Sequence, residues 1–371
     1  MKTTLAITLF TMLFTSGCFG GGQPNAPDEQ RSSSDRQDNG EPEAAATVDG
    51  ELEVVAEQLD MPWSIEKNGN TLYVTEMGGT ILKIEEDGTV ERQAAELGGE
   101  LMTVGRGGLM GLKLAPDFSE SNLAYAYYSY QDNAEPFYRI VTLRQEDNVW
   151  RQERVLLDSI PGGDYHHGGR LKIGPDGKLY VTVGDTYEED IAQDLNLLGG
   201  KILRMNLDGS IPSDNPFPNS YIYSYGHRNP QGMAWSSDKT LYASEHGNNA
   251  NDEVNLIEAG RNYGWPVIEG EEQQEGMVSP LFTSGNEATW APSGMAYYEG
   301  KLYVAALRGS AVIEFDLETG GQREVISGLG RIRDVFIEDH TLYFISSNTD
   351  GWVTPQDDDD KLYRILLSDL T

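Results

Sequence analysis

The sequence has a single cysteine, Cys18, which excludes an intramolecular disulfide framework. Basic residues are scarce: 27 Lys and Arg stand against 60 Asp and Glu, for a formal net charge of −33. A surface this negative repels the phosphates of nucleic acids and anionic lipid headgroups, so neither is an expected partner. The acid is spread along the chain, apart from a short run at Asp357 to Asp360. This suits a solvated surface in a salt-rich habitat, where screening relieves self-repulsion, better than calcium sequestration by clustered carboxylates. Long apolar runs are missing too. The longest, Leu5 to Phe14, is too short to span a membrane and follows a lysine, the layout of a signal peptide. Nor does any long stretch keep a 3.6-residue apolar period, so helices are expected to be minor.

Within this frame, residues 1–17 read as a lipoprotein-type signal peptide. Its "TSGC" resembles a lipobox, which would make Cys18 the lipidated first residue of an exported, surface-anchored protein. Residues 18–48 are too poor in apolar side chains to build a core and read as a tether. Residues 49–371 form the folded domain.

That domain repeats a phrase: "NTLYVTE" at Asn70, "KLYVTVGD" at Lys178, "TLYASEHG" at Thr240, "KLYVAALRG" at Lys301 and "TLYFISSN" at Thr341, with a looser "SNLAYAYYSY" at Ser121. A second phrase alternates with it: "ILKIEEDGTV", "KILRMNLDGSI" and "AVIEFDLETG". Each is a strand by its aromatic and β-branched content, and several adjoin a turn. About 53 residues per phrase is the size of a four-stranded blade with its loops. The expected fold is all-β, a six-bladed β-propeller with four-stranded antiparallel blades. Two β-sandwiches are disfavoured, since they lack such a repeat and would need a linker after Val48.

In a propeller, residues flanking the repeated strand converge over one mouth of the channel. Four of the five histidines fall in such flanks: "DYHHGGR" at Asp164, "YGHRNPQG" at Tyr225 and "SEHGNNANDEVN" at Ser244. Arg170, Arg228, Arg331 and Arg333 add a cationic mouth, opposite in sign to the whole protein, which suits an anionic ligand. His166 and His167 are neighbours in an extended segment and face opposite ways, so one serves a site and His167 is a local loop residue. His340, in "EDHTLY", is a turn residue. The histidine pairs lack zinc spacing. "HGNNANDEVN" offers oxygen ligands to a hard cation without EF-hand spacing, and exposed acidic loops without a metal are equally common.

Six motifs in order, "HHGGRLKIGPDGKLYVTVGD", "AQDLNLLGGKILRMNLDGSIPSDNPF", "YGHRNPQGMAW", "SEHGNNANDEVNLIEAGRNYGWP", "APSGMAYY" and "GRIRDV", resemble the glucose/sorbosone dehydrogenases. These are soluble quinoproteins that use pyrroloquinoline quinone (PQQ) and calcium. The resemblance implies oxidation of an aldose to a lactone, with electrons passed to an external acceptor. It implies His166 as the base that takes the anomeric hydroxyl proton, Asp185 as its orienting carboxylate, and Arg228 with Asn229 as quinone contacts. Arg331 and Arg333 match a cofactor-carboxylate pair. Backbone oxygens of Gly247 and Asn248 match calcium ligands, and Glu253 with Tyr263 a further calcium site. Two positions depart from the family: Arg106 stands where glutamine or glutamate is usual, and Arg308 where lysine is common. Both keep or add positive charge, and both are taken as cofactor-binding. Long insertions of the dedicated glucose enzymes are absent, so the likeness is to the shorter aldose dehydrogenases. A calcium-dependent lactonase and a non-catalytic binding propeller are the competing readings.

Overall fold

The computed structural model describes residues 51–102 and 107–370. The signal-peptide, Cys18 and tether readings and Arg106 lie outside the described residues. The chain is all-β, with one four-residue helix at Phe118–Ser121 and short 3-10 turns among the described residues.

Four-stranded antiparallel sheets recur along the chain. One joins Leu171–Ile173, Leu179–Val183, Lys201–Met205 and Ile222–Tyr225; the next, Asn229–Trp235, Leu241–His246, Glu253–Ile257 and Phe282–Thr283. Another joins Pro292–Tyr298, Lys301–Ala306, Ala311–Asp316 and Gln322–Ser327. Earlier in the chain lies a nine-stranded sheet that divides at one parallel junction, Val149–Arg151 against Ala94–Glu96. On one side are Pro62–Asn68, Thr71–Glu76, Thr80–Ile84 and Val90–Glu96; on the other are Leu109–Leu114, Leu123–Asp132, Glu135–Glu146 and Val149–Pro161, with Glu100–Leu101 as an added edge. The last sheet is closed by the first described strand: Glu53–Ala56 pairs with Leu362–Leu366, beyond Thr341–Ser346 and Ile332–Glu338. This pairing joins the first and the last described strands and so links the start of the described chain to its last sheet.

The repeated phrase is the second strand of each set. These strands are covered on both faces, and Leu179–Val183 is buried at every position, which explains near-continuous apolar sequence instead of alternation. Apolar clusters fill the spaces between sheets. Ile65, Val74 and Leu82 meet Ile345 and Leu362, and Val254 and Ala234 meet Val304 and Phe315. Each fully buried aliphatic side chain stabilises the fold by about 1.5–3 kcal/mol.

First strands lie side by side around the centre: 62–68 beside 109–114 and 332–338, and 292–298 beside 229–235 and 332–338. Their approach is close. A Cβ on Gly294 would stand 1.7 Å from the Asp334 carboxylate, so only glycine fits there. First strands also carry register shifts near their starts, between Pro230 and Gly232 and between Ile332 and Asp334 among others. A bulge re-aims the side chains beside it, and these two sit next to Arg228, Asn229, Arg331 and Arg333.

Candidate active site

The first strand of a sheet starts where its antiparallel second strand ends. Asp185 follows a second strand and His246 ends one, while His166, Arg228 and Arg331 precede first strands, so the topology brings them to one end of the sheets.

The segment "HHGG" turns sharply, with Gly168 and Gly169 both at positive φ. Gly184 admits the His166 carbonyl, which would lie 1.8 Å from any Cβ there. His166 itself holds φ 56°, a left-handed conformation rare for a side chain that is neither Gly nor Asn. Such local strain costs on the order of 1 kcal/mol and is retained where surroundings fix it. Here His166 Nδ1 lies 2.6 Å from Asp185 Oδ1. Asp185 is fully buried while the His166 side chain is 10% exposed, so the ring is reachable and its carboxylate is not. With the Nδ1 proton engaged by the carboxylate, the basic lone pair of the neutral ring resides on Nε2. Asp185 Oδ1 also accepts from the Tyr187 amide at 3.0 Å, and Oδ2 accepts from Trp265 Nε1 at 2.7 Å. His167 faces the other way: its Nδ1 meets the Tyr138 hydroxyl at 3.0 Å inside the core. His340 sits in a turn at φ 63° against Tyr298.

Arg228 joins this pair through its carbonyl, which accepts from the Asp185 amide at 2.8 Å. Its guanidinium lies over the Trp265 ring, 5.3 Å from the centroid. The neighbouring carboxylate, Glu245, is already committed. It accepts from the Arg228 amide (2.8 Å), from His227 Nδ1 (2.8 Å) and from Asn255 Nδ2 (2.9 Å). Arg228 Nε is consequently buried with no hydrogen-bond partner. Asn229 is buried, and its side-chain oxygen accepts from the Gly168 amide at 3.1 Å, so it braces the histidine turn.

Arg331 and Arg333 reach the same carboxylate oxygen, Asp350 Oδ2, at 2.9 and 3.5 Å. Two guanidinium groups thus share the Asp350 carboxylate. Arg308 is exposed just beyond Lys301–Ala306 and acts electrostatically on Arg331. Arg170 does not belong to this cationic group. It is buried under Trp63 and paired with Asp334 at 2.8 Å, and its Nε donates to the Gln231 carbonyl. A strand places it one step deeper, where a first strand of another sheet supplies its counter-ion.

His246 unites the site. Its imidazole is pulled well below its usual value by burial, then by the charges of Arg228, His166, Arg333 and Arg331, residues of three different sheets. His246 Nε2 is buried without a hydrogen-bond partner. Sequence reasoning missed His246, Trp265 and Asp350. The first two lie inside quoted motifs, but nothing local shows which side chains they meet.

The expected metal positions are placed less compactly. Gly247 and Asn248 follow His246 at the strand end, and the Gly247 amide donates to Asp252 Oδ1 at 2.9 Å. Glu253 is buried beside Glu245; burial and that neighbour push its carboxyl up to about 8. It accepts from the Gly270 amide (2.9 Å) and Asn255 Nδ2 (3.0 Å). Tyr263 stacks on His227 at 4.7 Å, and its hydroxyl donates to the Leu256 carbonyl. Asn255 Oδ1 and Glu269 Oε2 are buried oxygens without hydrogen-bond donors. Among the described residues, no group of three or more His, Cys, Asp and Glu side chains is arranged to hold a metal ion. Cation ligands would therefore include backbone and amide oxygens.

Comparison with known proteins matches residues 59–355 to the family described as glucose/sorbosone dehydrogenase. The aldose sugar dehydrogenase YliI of Escherichia coli (strain K12) is 32% identical over 349 residues, covering 83% of this chain and 92% of its own. Quinoprotein glucose dehydrogenase B of Acinetobacter calcoaceticus is 36% identical over 241 residues, 56% of this chain and 50% of that protein. Among solved structures, the PQQ-bound aldose sugar dehydrogenase of Streptomyces coelicolor superposes with a TM-score of 0.79 at 34% identity, over 85% of this chain and 97% of that one.

Proposed function

Since the chain belongs to the glucose/sorbosone dehydrogenase family, we propose that it is a PQQ-dependent aldose sugar dehydrogenase that oxidises the anomeric carbon to a lactone on a six-bladed β-propeller. The nine-stranded sheet divides at its parallel junction into two units, one with the short added edge Glu100–Leu101, and with the other four sheets these make six.

The observation that carries the reading is the His166–Asp185 pair at 2.6 Å, joined to Arg228 through the Asp185 amide, with Arg228 Nε buried and without a partner. The charge of these groups suits PQQ, a tricarboxylate. Buried Arg228 Nε and His246 Nε2 lack hydrogen-bond partners, and the guanidinium groups of Arg331 and Arg333 suit carboxylates. Arg228, Asn229, Arg308, Arg331 and Arg333 would hold it; the resemblance adds Arg106, which lies outside the described residues. When bound, PQQ supplies the acceptor for the hydride that leaves the anomeric carbon, and calcium supplies Lewis-acid polarisation. Asp185 holds the His166 ring so that Nε2 takes the hydroxyl proton. The Arg228 cation stabilises negative charge developing opposite it, in a site where fixed charges act at low dielectric. Calcium is assigned to the Gly247 and Asn248 carbonyls, and a second ion to Glu253 and Tyr263, where the undonated oxygens of Asn255 and Glu269 suit a hard cation. Export, a lipid anchor at Cys18, an external electron acceptor and a salt-rich setting complete the proposal.

The test is a titration of purified protein with PQQ and calcium, followed by aldoses and a redox dye at high salt. Dye reduction is expected; no turnover across a broad sugar panel overturns the assignment. His166→Gln is expected to abolish turnover while PQQ still binds, and retained activity removes His166 from the role of base.

A further inference from the structure

Asp185 and Arg228 are joined through the backbone and are both buried, yet their side chains form no ion pair. Left to themselves, a carboxylate and a guanidinium this close in a desolvated site attract strongly. A direct pair would turn Asp185 away from His166 and neutralise Arg228, removing both functions together. Trp265 prevents it. Its Nε1–H donates to Asp185 Oδ2 at 2.7 Å, which fixes the carboxylate plane with Oδ1 on His166 Nδ1. Its ring face carries the Arg228 guanidinium at 5.3 Å, a cation–π contact that asks for no anion. The Trp265 backbone is held as well: its amide donates to the Gly226 carbonyl (2.9 Å), and its carbonyl accepts from Gln193 Nε2 (2.6 Å). Gln193 is clamped in turn by a reciprocal amide pair with Asn262, at 2.8 and 3.0 Å.

We propose that Trp265 is a positioning residue that keeps the Asp185 carboxylate on His166 and off Arg228. The residue touches no substrate in this scheme; it acts through the two side chains it separates.

The test is Trp265→Phe, which keeps an aromatic face and removes the N–H. In cofactor-free protein, proton and ¹⁵N spectra of the histidine rings report the result directly, with His166 signals identified by their loss in His166→Gln. The wild type is expected to show a downfield Nδ1 proton and a single Nδ1–H tautomer. In Trp265→Phe the proton signal should move upfield or broaden, and the ring nitrogens should indicate mixed tautomers. In loaded enzyme, kcat should fall about 10–100-fold with the sugar KM within about threefold, as expected for a base misplaced by a fraction of an ångström. Added to Asp185→Asn, the same change should cost less than about threefold, because both remove one interaction. The kinetic half rests on the oxidation proposed above; the spectroscopic half does not, so an inactive protein with the expected spectra rejects that reading and keeps this one. An unchanged His166 spectrum, or fully additive kinetic losses, overturns it. Should the phenylalanine variant fail to fold, 3-benzothienylalanine at position 265, with sulfur in place of N–H, carries the same measurements.

Discussion

Arg170 and Arg228 occupy similar surroundings and do different work. Both are buried, both lie over a tryptophan face (Trp63 at 4.1 Å, Trp265 at 5.3 Å), and both come from motifs rich in glycine and histidine. The difference is the counter-ion. Arg170 has Asp334 at 2.8 Å and a carbonyl on its Nε, so its charge is spent inside the ring of first strands. Arg228 has no carboxylate, because Glu245 is occupied by a backbone amide, His227 and Asn255. An arginine buried with its anion holds the fold together, whereas one buried without it is kept for a ligand.

Breaking the first half of this comparison gives the largest effect. Arg170→Met leaves Asp334 charged and buried with its guanidinium gone, and is expected to lower stability by about 3–5 kcal/mol, read from urea unfolding. Arg170→Met combined with Asp334→Leu should recover most of that loss, since neither charge then remains unpaired. The second half has the opposite signature. Arg228→Met should leave the melting temperature of cofactor-free protein unchanged or raised, because it removes a cation buried without an anion. Sugar oxidation should nevertheless fall by about 10²–10³-fold, the usual loss for a preorganised charge-stabilising group.

This comparison also marks the limit of sequence reading. The strands were legible because their burial on both faces leaves an apolar and aromatic phrase: "KLYVTVGD", "TLYASEHG" and "KLYVAALRG" are each a second strand. His166 and Asp185 were legible through the family resemblance, and both flank paired strands of one sheet. His167 does face the other way, but through a sharp turn with His166 at φ 56° and not by the alternation of an extended segment. Arg170 was read as part of the cationic mouth because its partner lies 164 residues away, in another sheet. His246, Trp265 and Asp350 were missed for the same reason. Convergence across sheets depends on ring closure and on bulges at strand starts, and no local pattern encodes which side chains then meet.

Lys201 extends the comparison to a third buried cation. Its ammonium donates to the carbonyls of Ile191 (2.7 Å), Ala192 (3.1 Å) and Gly199 (2.6 Å), with no carboxylate bonded to it. Burial pulls it from 10.5 down to about 7, against a small opposing attraction from Asp194. The unfolded chain keeps this proton up to about 10.5 while the folded chain releases it from about 7. The unfolded state thus binds more protons in that window, and this group makes stability rise with pH there, by at most about 1.4 kcal/mol per pH unit. Stability measured as wild type minus Lys201→Met should climb by about 1 kcal/mol between about pH 7.5 and 8.5. A flat difference would show that the three carbonyls substitute for an anion.

Arg308 and Arg331 repeat the contrast at the edge of the site with the smallest effect. Arg331 is buried and shares Asp350 with Arg333, whereas Arg308 is exposed and acts on Arg331 through its field. An exposed charge is screened by salt over a Debye length of about 10 Å at 0.1 M and about 3 Å at 1 M, while a buried one is screened far less. Arg308→Ala is therefore expected to weaken PQQ binding by about threefold or less at low salt and not measurably at 1 M. Arg331→Met should weaken it by a larger factor that survives high salt. Calorimetric titration with PQQ at both salt concentrations separates them. A salt-resistant loss in Arg308→Ala would mean that its side chain folds over the bound anion and is desolvated there, which would move it from the rim into the chamber.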